Sequence, residues 1–267
     1  MSGRRFVTVG AFLICLAALA AGGIALSGAS GAPQDSGRLK RVKEVKEVPT
    51  PVEDGVMTAK QKEHSKLYKS ARYPRGRRIP ERVESEGHLT VWGGISEVPL
   101  SNLPLGESLT RLRCAADAVV IGSVRGKSSN LTEGGTFVFT DYDVAVDDVL
   151  KSDARAPVES GDAITVTRPG GTVSIRGRVV RAIDREVERL EVGQRYLLYL
   201  RRVPATGAYG QVSHPMFADA FLLSDGRVEQ ISDKPLPLRY LRAADAAQFL
   251  AEARNALHTP CVGGASQ

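Results

Sequence analysis

The sequence predicts a mainly β fold: a small barrel with a short helix before its first strand and a second helix at the C-terminal end. Three observations carry this. A β-branched run over 118–124 is interrupted by Gly122, apolar residues alternate from Val138 to Leu150, and an alanine-rich stretch with helical spacing lies near the chain end. The 267 residues are 42% apolar and 25% charged, which suits a globular protein and excludes collagenous, coiled-coil and wholly disordered chains.

The N-terminus reads as an export segment. Arg4 and Arg5 precede an apolar stretch over 6–26, and small residues fill 27–32. A basic start, an apolar middle and small residues after it make the pattern of a secretory signal peptide. The bonds after Ser27 and after Ala29 both have small residues at −1 and −3. The alternative is an uncleaved signal anchor over 6–26, which is just long enough to cross a bilayer. Its three glycines and many alanines make it weakly hydrophobic for that role.

Residues 37–82 hold 14 Lys/Arg against 6 Asp/Glu, while the chain from Val83 onward is net acidic. With Pro49, Pro51, Pro74 and Pro80 and few large apolar residues, 33–100 is expected to be a basic, largely disordered tether. Its plain role is a solvated spacer; its sharper role is contact with an anionic envelope or lipid surface. The excess of positive charge lies outside the folded part, so no nucleic-acid partner is expected.

The folded domain is expected over 101–267. Leu105, Leu109, Leu112 and Ala116 recur at helical spacing just before the first strand. Gly122 inside that strand suits a bulge or sharp bend, the device that curls a sheet. Residues 128–135, rich in Ser, Asn and Gly, read as a loop. A long strand follows over 136–150, with Val138, Tyr142, Val144, Val146 and Leu150 on one face and Phe137, Phe139, Asp141, Asp143 and Asp147 on the other. A third strand over 161–167 ends at Pro169-Gly170, a type II turn pair. Residues 172–183 form one or two return strands, and 193–203 a buried one. Strands over 219–223 and 227–231 are joined by Ser224-Asp225-Gly226. The last helix covers 244–257, with Ala246, Leu250, Ala253 and Leu257 on its docking face.

Of three cysteines, Cys15 lies in the export segment and poorly matches a lipid-attachment site. Cys114 and Cys261 flank the two ends of the folded unit, and in an oxidising compartment they are expected to pair.

The run Ala116-Asp117-Ala118-Val119-Val120-Ile121-Gly122-Ser123-Val124, the strand end Val146-Asp147-Asp148-Val149-Leu150-Lys151 and the late Val192–Leu200 segment resemble the netrin-like module shared with tissue inhibitors of metalloproteinases. They are closer still to uncharacterised exported bacterial proteins with a Thr-Arg-Pro-Gly-Gly turn, here 167–171. The resemblance covers about 105–203 and implies an OB-type barrel with a helix packed at each end. In the inhibitors an N-terminal cysteine chelates the target's zinc. Cys114 is internal, with an amide nitrogen, so that mechanism does not carry over.

Asp141, Asp143 and Asp147 form an acidic row, with Asp148 beside it. Asp141 and Asp143 share a face about 7 Å apart, too far to chelate calcium without loop ligands that are missing here. The row is expected to be a strand face paired with arginines such as Arg201 or Arg176. His64 and His88 fall in or near the tether and His258 trails a helix, which leaves His214 as the histidine best placed for a pocket. No Gly-x-Ser-x-Gly elbow or metal-binding histidine pair is present, so no catalytic residues, metal or cofactor are assigned. Gly134-Gly135 and Gly170-Gly171 read as turns. Binding is expected to use Phe137, Phe139, Asp141, Asp143 and His214 with the loops 128–135 and 207–215. The function expected is an exported, non-enzymatic interaction module that binds a protein or envelope component. The alternatives are an extracytoplasmic hydrolase centred near His214 and an extracellular protease inhibitor.

Overall fold

The computed structural model describes residues 48–52, 56–69, 73, 76–93, 103–187, 189–212, 219–230 and 244–261. It begins with β1 (Thr50–Pro51), α1 (Ala59–Lys66), α2 (Ile79–Glu86) and β2 (Leu89–Gly93). Then α3 (Leu105–Ala115) leads into β3 (Ala118–Leu131) and β4 (Val138–Lys151), two strands of 14 residues each. After them come β5 (Ala163–Pro169), β6 (Gly171–Ile175), β7 (Arg178–Asp184), β8 (Arg195–Arg202) and β9 (Tyr209–Gln211). The chain closes with β10 (Ala220–Ser224), β11 (Arg227–Gln230), β12 (Ala244–Asp245) and α4 (Ala246–His258).

The fold is mainly β. One sheet has eight strands in the order β12-β11-β10-β8-β3-β4-β5-β9, and β9 also pairs with β8. Its pairings are antiparallel except β5 with β9. A second sheet has the order β1-β6-β7-β2, with β1 parallel to β6 and β2 parallel to β7. Gly122 marks the predicted irregularity: the β3–β4 register shifts between Ile121 and Gly122. A Cβ there would lie 2.7 Å from the Ala145 carbonyl oxygen, so only glycine lets the two backbones approach this closely.

Three apolar cores result. Val120, Val124, Tyr142, Val144, Val166 and Leu198 form one core on a face of β3, β4, β5 and β8. On the opposite face of β3 and β8, Val119, Ile121, Leu197 and Tyr199 pack against Leu109 and Leu112 of α3 and Phe249 and Ala253 of α4. The third core joins the second sheet to the far ends of β3 and β4 through Leu131, Phe137, Phe139, Val173 and Val180. Alternation produces this division, because successive residues of one strand face different layers. The predicted helices are in place, and Asp245 caps α4 by accepting from the amides of Ala247 and Gln248 at 2.7 and 3.1 Å. Its buried residues are Phe249, Ala253 and Ala256, and Ala246 and Leu250 of the expected row pack against the same core. Cys114 and Cys261 are disulfide-bonded with Cα atoms 5.8 Å apart. Closing a loop of this length stabilises the fold by about 5 kcal/mol in the chain-entropy account.

Two expectations need correction. Residues 128–131 are strand, not loop: Ser128, Ser129, Asn130 and Leu131 pair with Asp141, Thr140, Phe139 and Val138. The tether expected over 33–100 is also wrong where the structure describes it. Residues 48–52, 56–69 and 76–93 carry two helices and two strands, and Ile79, Val83, Leu89 and Val91 are buried in the third core. Composition misled here because a few apolar anchors, together with polar groups bonded to the large sheet, offset the chain entropy despite the low apolar content. The folded unit therefore begins well before residue 101. Residues 1–47, including the export segment, lie outside the described residues. No described helix is long and apolar enough to cross a membrane.

Candidate functional site

α1 is hydrophilic throughout: Ala59-Lys60-Gln61-Lys62-Glu63-His64-Ser65-Lys66 has no apolar stripe to bury. A capping box starts it. The Thr58 hydroxyl accepts from the Gln61 amide at 3.2 Å, and the Gln61 side-chain oxygen accepts from the Thr58 amide at 2.8 Å. The helix is nonetheless held against the sheet, by polar contacts. Gln61 Nε2 donates to Asn130 Oδ1 at 2.6 Å, and Lys60 Nζ donates to Thr165 Oγ1 at 2.9 Å. Ser65 Oγ accepts from the Glu133 amide at 2.7 Å.

His64 is the centre of this contact and is completely buried. Its Nδ1 lies 2.9 Å from Asp141 Oδ1 and 3.0 Å from Oδ2, and its Nε2 lies 2.9 Å from Thr206 Oγ1. An Nδ1–H donated to the carboxylate leaves Nε2 facing the Thr206 hydroxyl, so both ring nitrogens are engaged. One turn later Tyr68 meets Thr167 through a hydroxyl pair at 3.1 Å. Burial raises the Tyr68 pKa well above the ordinary phenol value, so the group stays a neutral hydroxyl.

A hydroxyl, an imidazole and a carboxylate in series form the arrangement that activates a nucleophile. The surroundings of Thr206 lack the other half of such a site. The amides of Thr206 and Gly207 both donate to the Val203 carbonyl, at 3.1 and 3.0 Å, and the Ala208 amide donates to Thr206 Oγ1 at 3.3 Å. The three amides that follow Ala205 are thus already engaged and are not free to stabilise a developing oxyanion. With His64 shut away from solvent, the series acts as a clamp between α1, β4 and the loop 203–208.

Of the residues singled out in the sequence, Asp141 is in the clamp. Phe137 and Phe139 are fully buried. They are core residues and not an exposed stacking platform, because Tyr68 and Tyr73 cover them. Asp143 is exposed on β4. His214 lies outside the described residues, as does the end of the 207–215 loop. The expected arginine partners are also different: Arg195 Nε bonds Asp147 at 2.8 Å, Arg254 bonds Asp148 at 3.2 Å, and Arg176 pairs with Glu84. Part of the basic charge ascribed to a tether is engaged on the fold, through Lys60 with Thr165, Lys69 with Glu133 and Arg82 with Glu86.

A second buried polar pair lies nearby on β5. Arg168 Nη2 donates to Asp219 Oδ1 at 3.0 Å, with both side chains buried. Among the described residues, Arg168 Nε and Nη1 and Asp219 Oδ2 have no hydrogen-bond partner. Among the described residues no group of three or more His, Cys, Asp or Glu is arranged to hold a metal ion. His64, Thr206 and Arg168 were missed in the sequence because no local pattern links residues 77 and 142 positions apart. The capping box Thr58-x-x-Gln61 was the one local signal that this stretch is helical. Compared with known protein families and with curated proteins, the chain matches none in sequence.

Proposed function

We propose that this chain is an exported, non-enzymatic interaction module, built on an OB-type, netrin-like barrel that binds a protein or envelope component. The observation that carries this reading is the strand pairing. From β3 the hydrogen-bonded neighbours run through β4, β5, β9 and β8 and return to β3, a five-stranded circuit of the Greek-key kind used by OB folds. In such folds the second and third strands, with the loops after the first and fourth, form the ligand face. Here these are β4, β5 and the loops 132–137 and 203–208, the same surfaces that α1 touches. The Cys114–Cys261 disulfide supports residence outside a reducing cytosol, in line with the apolar segment over 6–26.

A hydrolase acting through Thr206, His64 and Asp141 is the second reading, and the hydrogen-bonded series is the observation in its favour. The engaged amides around Thr206 and the burial of His64 weigh against it. The test expresses the full chain with its own N-terminal segment. Exported protein without free thiols is expected, and a photo-crosslinker at position 165 on β5 is expected to give one discrete adduct in the envelope. A chain retained in the cytosol with both thiols free overturns the reading. So does turnover of activated esters or peptides that Thr206→Ala abolishes.

A further inference from the structure

The contact between α1 and the barrel is unusual in what it leaves out. A helix that packs permanently on a sheet buries an apolar stripe; α1 buries only His64 and Ser65. Its contacts are hydrogen bonds and ion pairs, which water replaces at a small net cost when both partners become solvated. Eight residues are also too few for a helix to persist alone in water, so its helicity depends on this docking. The surface beneath is correspondingly specific. Asn130, Asp141 and Thr165 offer acceptors and Thr206 offers a hydroxyl, with the carboxylate of Glu133 at the rim taking Lys69. These groups accept, in turn, an amide, an imidazole and the Lys60 ammonium from one short helix, and the Lys69 ammonium just beyond its end.

We propose that this face is a receptor for a basic, amide-bearing peptide helix, that α1 fills it in cis, and that a partner helix carrying the same donors competes with α1 for it. The proposal rests on the reading of β4, β5 and their loops as the ligand face. α1 then acts as a built-in competitor: the apparent affinity for a partner is the intrinsic affinity reduced by the fraction of molecules with the face open. The partner is a protein segment and not a lipid or glycan, because among the described residues the occupant of the face is a helix and the matched groups stand at helical spacing, Lys60 and Gln61 one turn before His64.

The probe is a fluorescein-labelled peptide of residues 56–69, titrated into the full mature chain. Wild type is expected to bind it weakly. Gln61→Ala/His64→Ala weakens the strap and leaves the receptor intact, and is expected to bind at least tenfold more tightly. Gln61→Cys/Asn130→Cys, oxidised to lock the strap down, is expected not to bind. Equal affinity of the wild-type and released chains, binding by the locked chain, or equal binding of a scrambled peptide overturns the proposal. Should the released variant lose its fold by circular dichroism, hydrogen exchange of the wild type decides. Amides of 59–66 are expected to exchange at least tenfold faster than those of α4, and equal protection overturns the strap. A released chain that binds the peptide but captures no envelope component leaves the strap standing and removes the proposed function. Capture that is equal in wild-type, released and locked chains removes the strap alone.

Discussion

Tyr68 lies over Phe139 with ring centroids 5.5 Å apart and planes 22° from parallel. Beside it, Tyr73 covers Phe137 at 4.7 Å. Two phenylalanines that strand alternation puts on the face opposite Tyr142 and Val144 thus find their cover within the chain, in a segment more than sixty residues earlier. The pairing explains how 56–69 and 76–93 are held despite their composition: aromatic stacking and burial at Tyr68 and Tyr73 supply what α1 lacks.

Tyr68→Ala is accordingly expected to lower stability by about 3–4 kcal/mol, the range for removing a large buried ring. Tyr68→Phe keeps the stack and loses only the Thr167 bond, and is expected to cost about 1 kcal/mol. Urea unfolding of the two variants checks both. Near-equal losses would mean that the hydroxyl, and not the ring, holds the segment.

Alkaline titration follows from burial of the same ring. Burial raises the Tyr68 and Tyr199 pKa values above the ordinary phenol value. A phenol kept neutral in the fold contributes stability that is complete below its unfolded pKa, near 10, and that is lost as pH rises through the folded value. Stability is therefore expected to fall from about pH 10 upward. Phenolate absorbance is expected to show part of the seven tyrosines ionising only as the chain unfolds. In Tyr68→Phe that late fraction should shrink; an unchanged fraction would place Tyr68 in contact with solvent.

The elements legible in the sequence were those whose signal is local. Gly122 marked the register shift, the alternation from Val138 gave β4, and Leu105, Leu109 and Leu112 gave α3. The disulfide was legible from compartment and placement. Long-range polar contact was not. Nothing near His64 indicates that Asp141 and Thr206 wait for it, and a segment without an apolar stripe reads as solvated until its partners are known. β9 escaped for another reason. Tyr209–Gln211 is three residues long, too short for alternation to register, though its pairing with both β5 and β8 is central to the sheet.

Separating Cys114 from Cys261 tests the staple between α3 and the end of α4. Cys114→Ser/Cys261→Ser is expected to lower the unfolding free energy by up to about 5 kcal/mol, since the unfolded chain regains a very long loop. The measurement is guanidinium unfolding of oxidised protein and the double variant. A loss below about 1 kcal/mol would show that the unfolded chain already keeps its ends together.

Arg168 and Asp219 give the sharpest test of buried charge. Their hydrogen bond, at 3.0 Å, leaves Arg168 Nε, Arg168 Nη1 and Asp219 Oδ2 without partners among the described residues, so the pair is held at a considerable desolvation cost. Arg168→Met strands the Asp219 carboxylate in the interior and is expected to destabilise the fold by about 3–5 kcal/mol. Arg168→Met/Asp219→Leu removes both charges and is expected to recover most of that loss, because apolar groups of similar size need no desolvation. Thermal unfolding of the single variants and the double variant measures the coupling. If the double variant is no more stable than Arg168→Met, the arginine contributes through its packing against neighbouring residues and not through its charge.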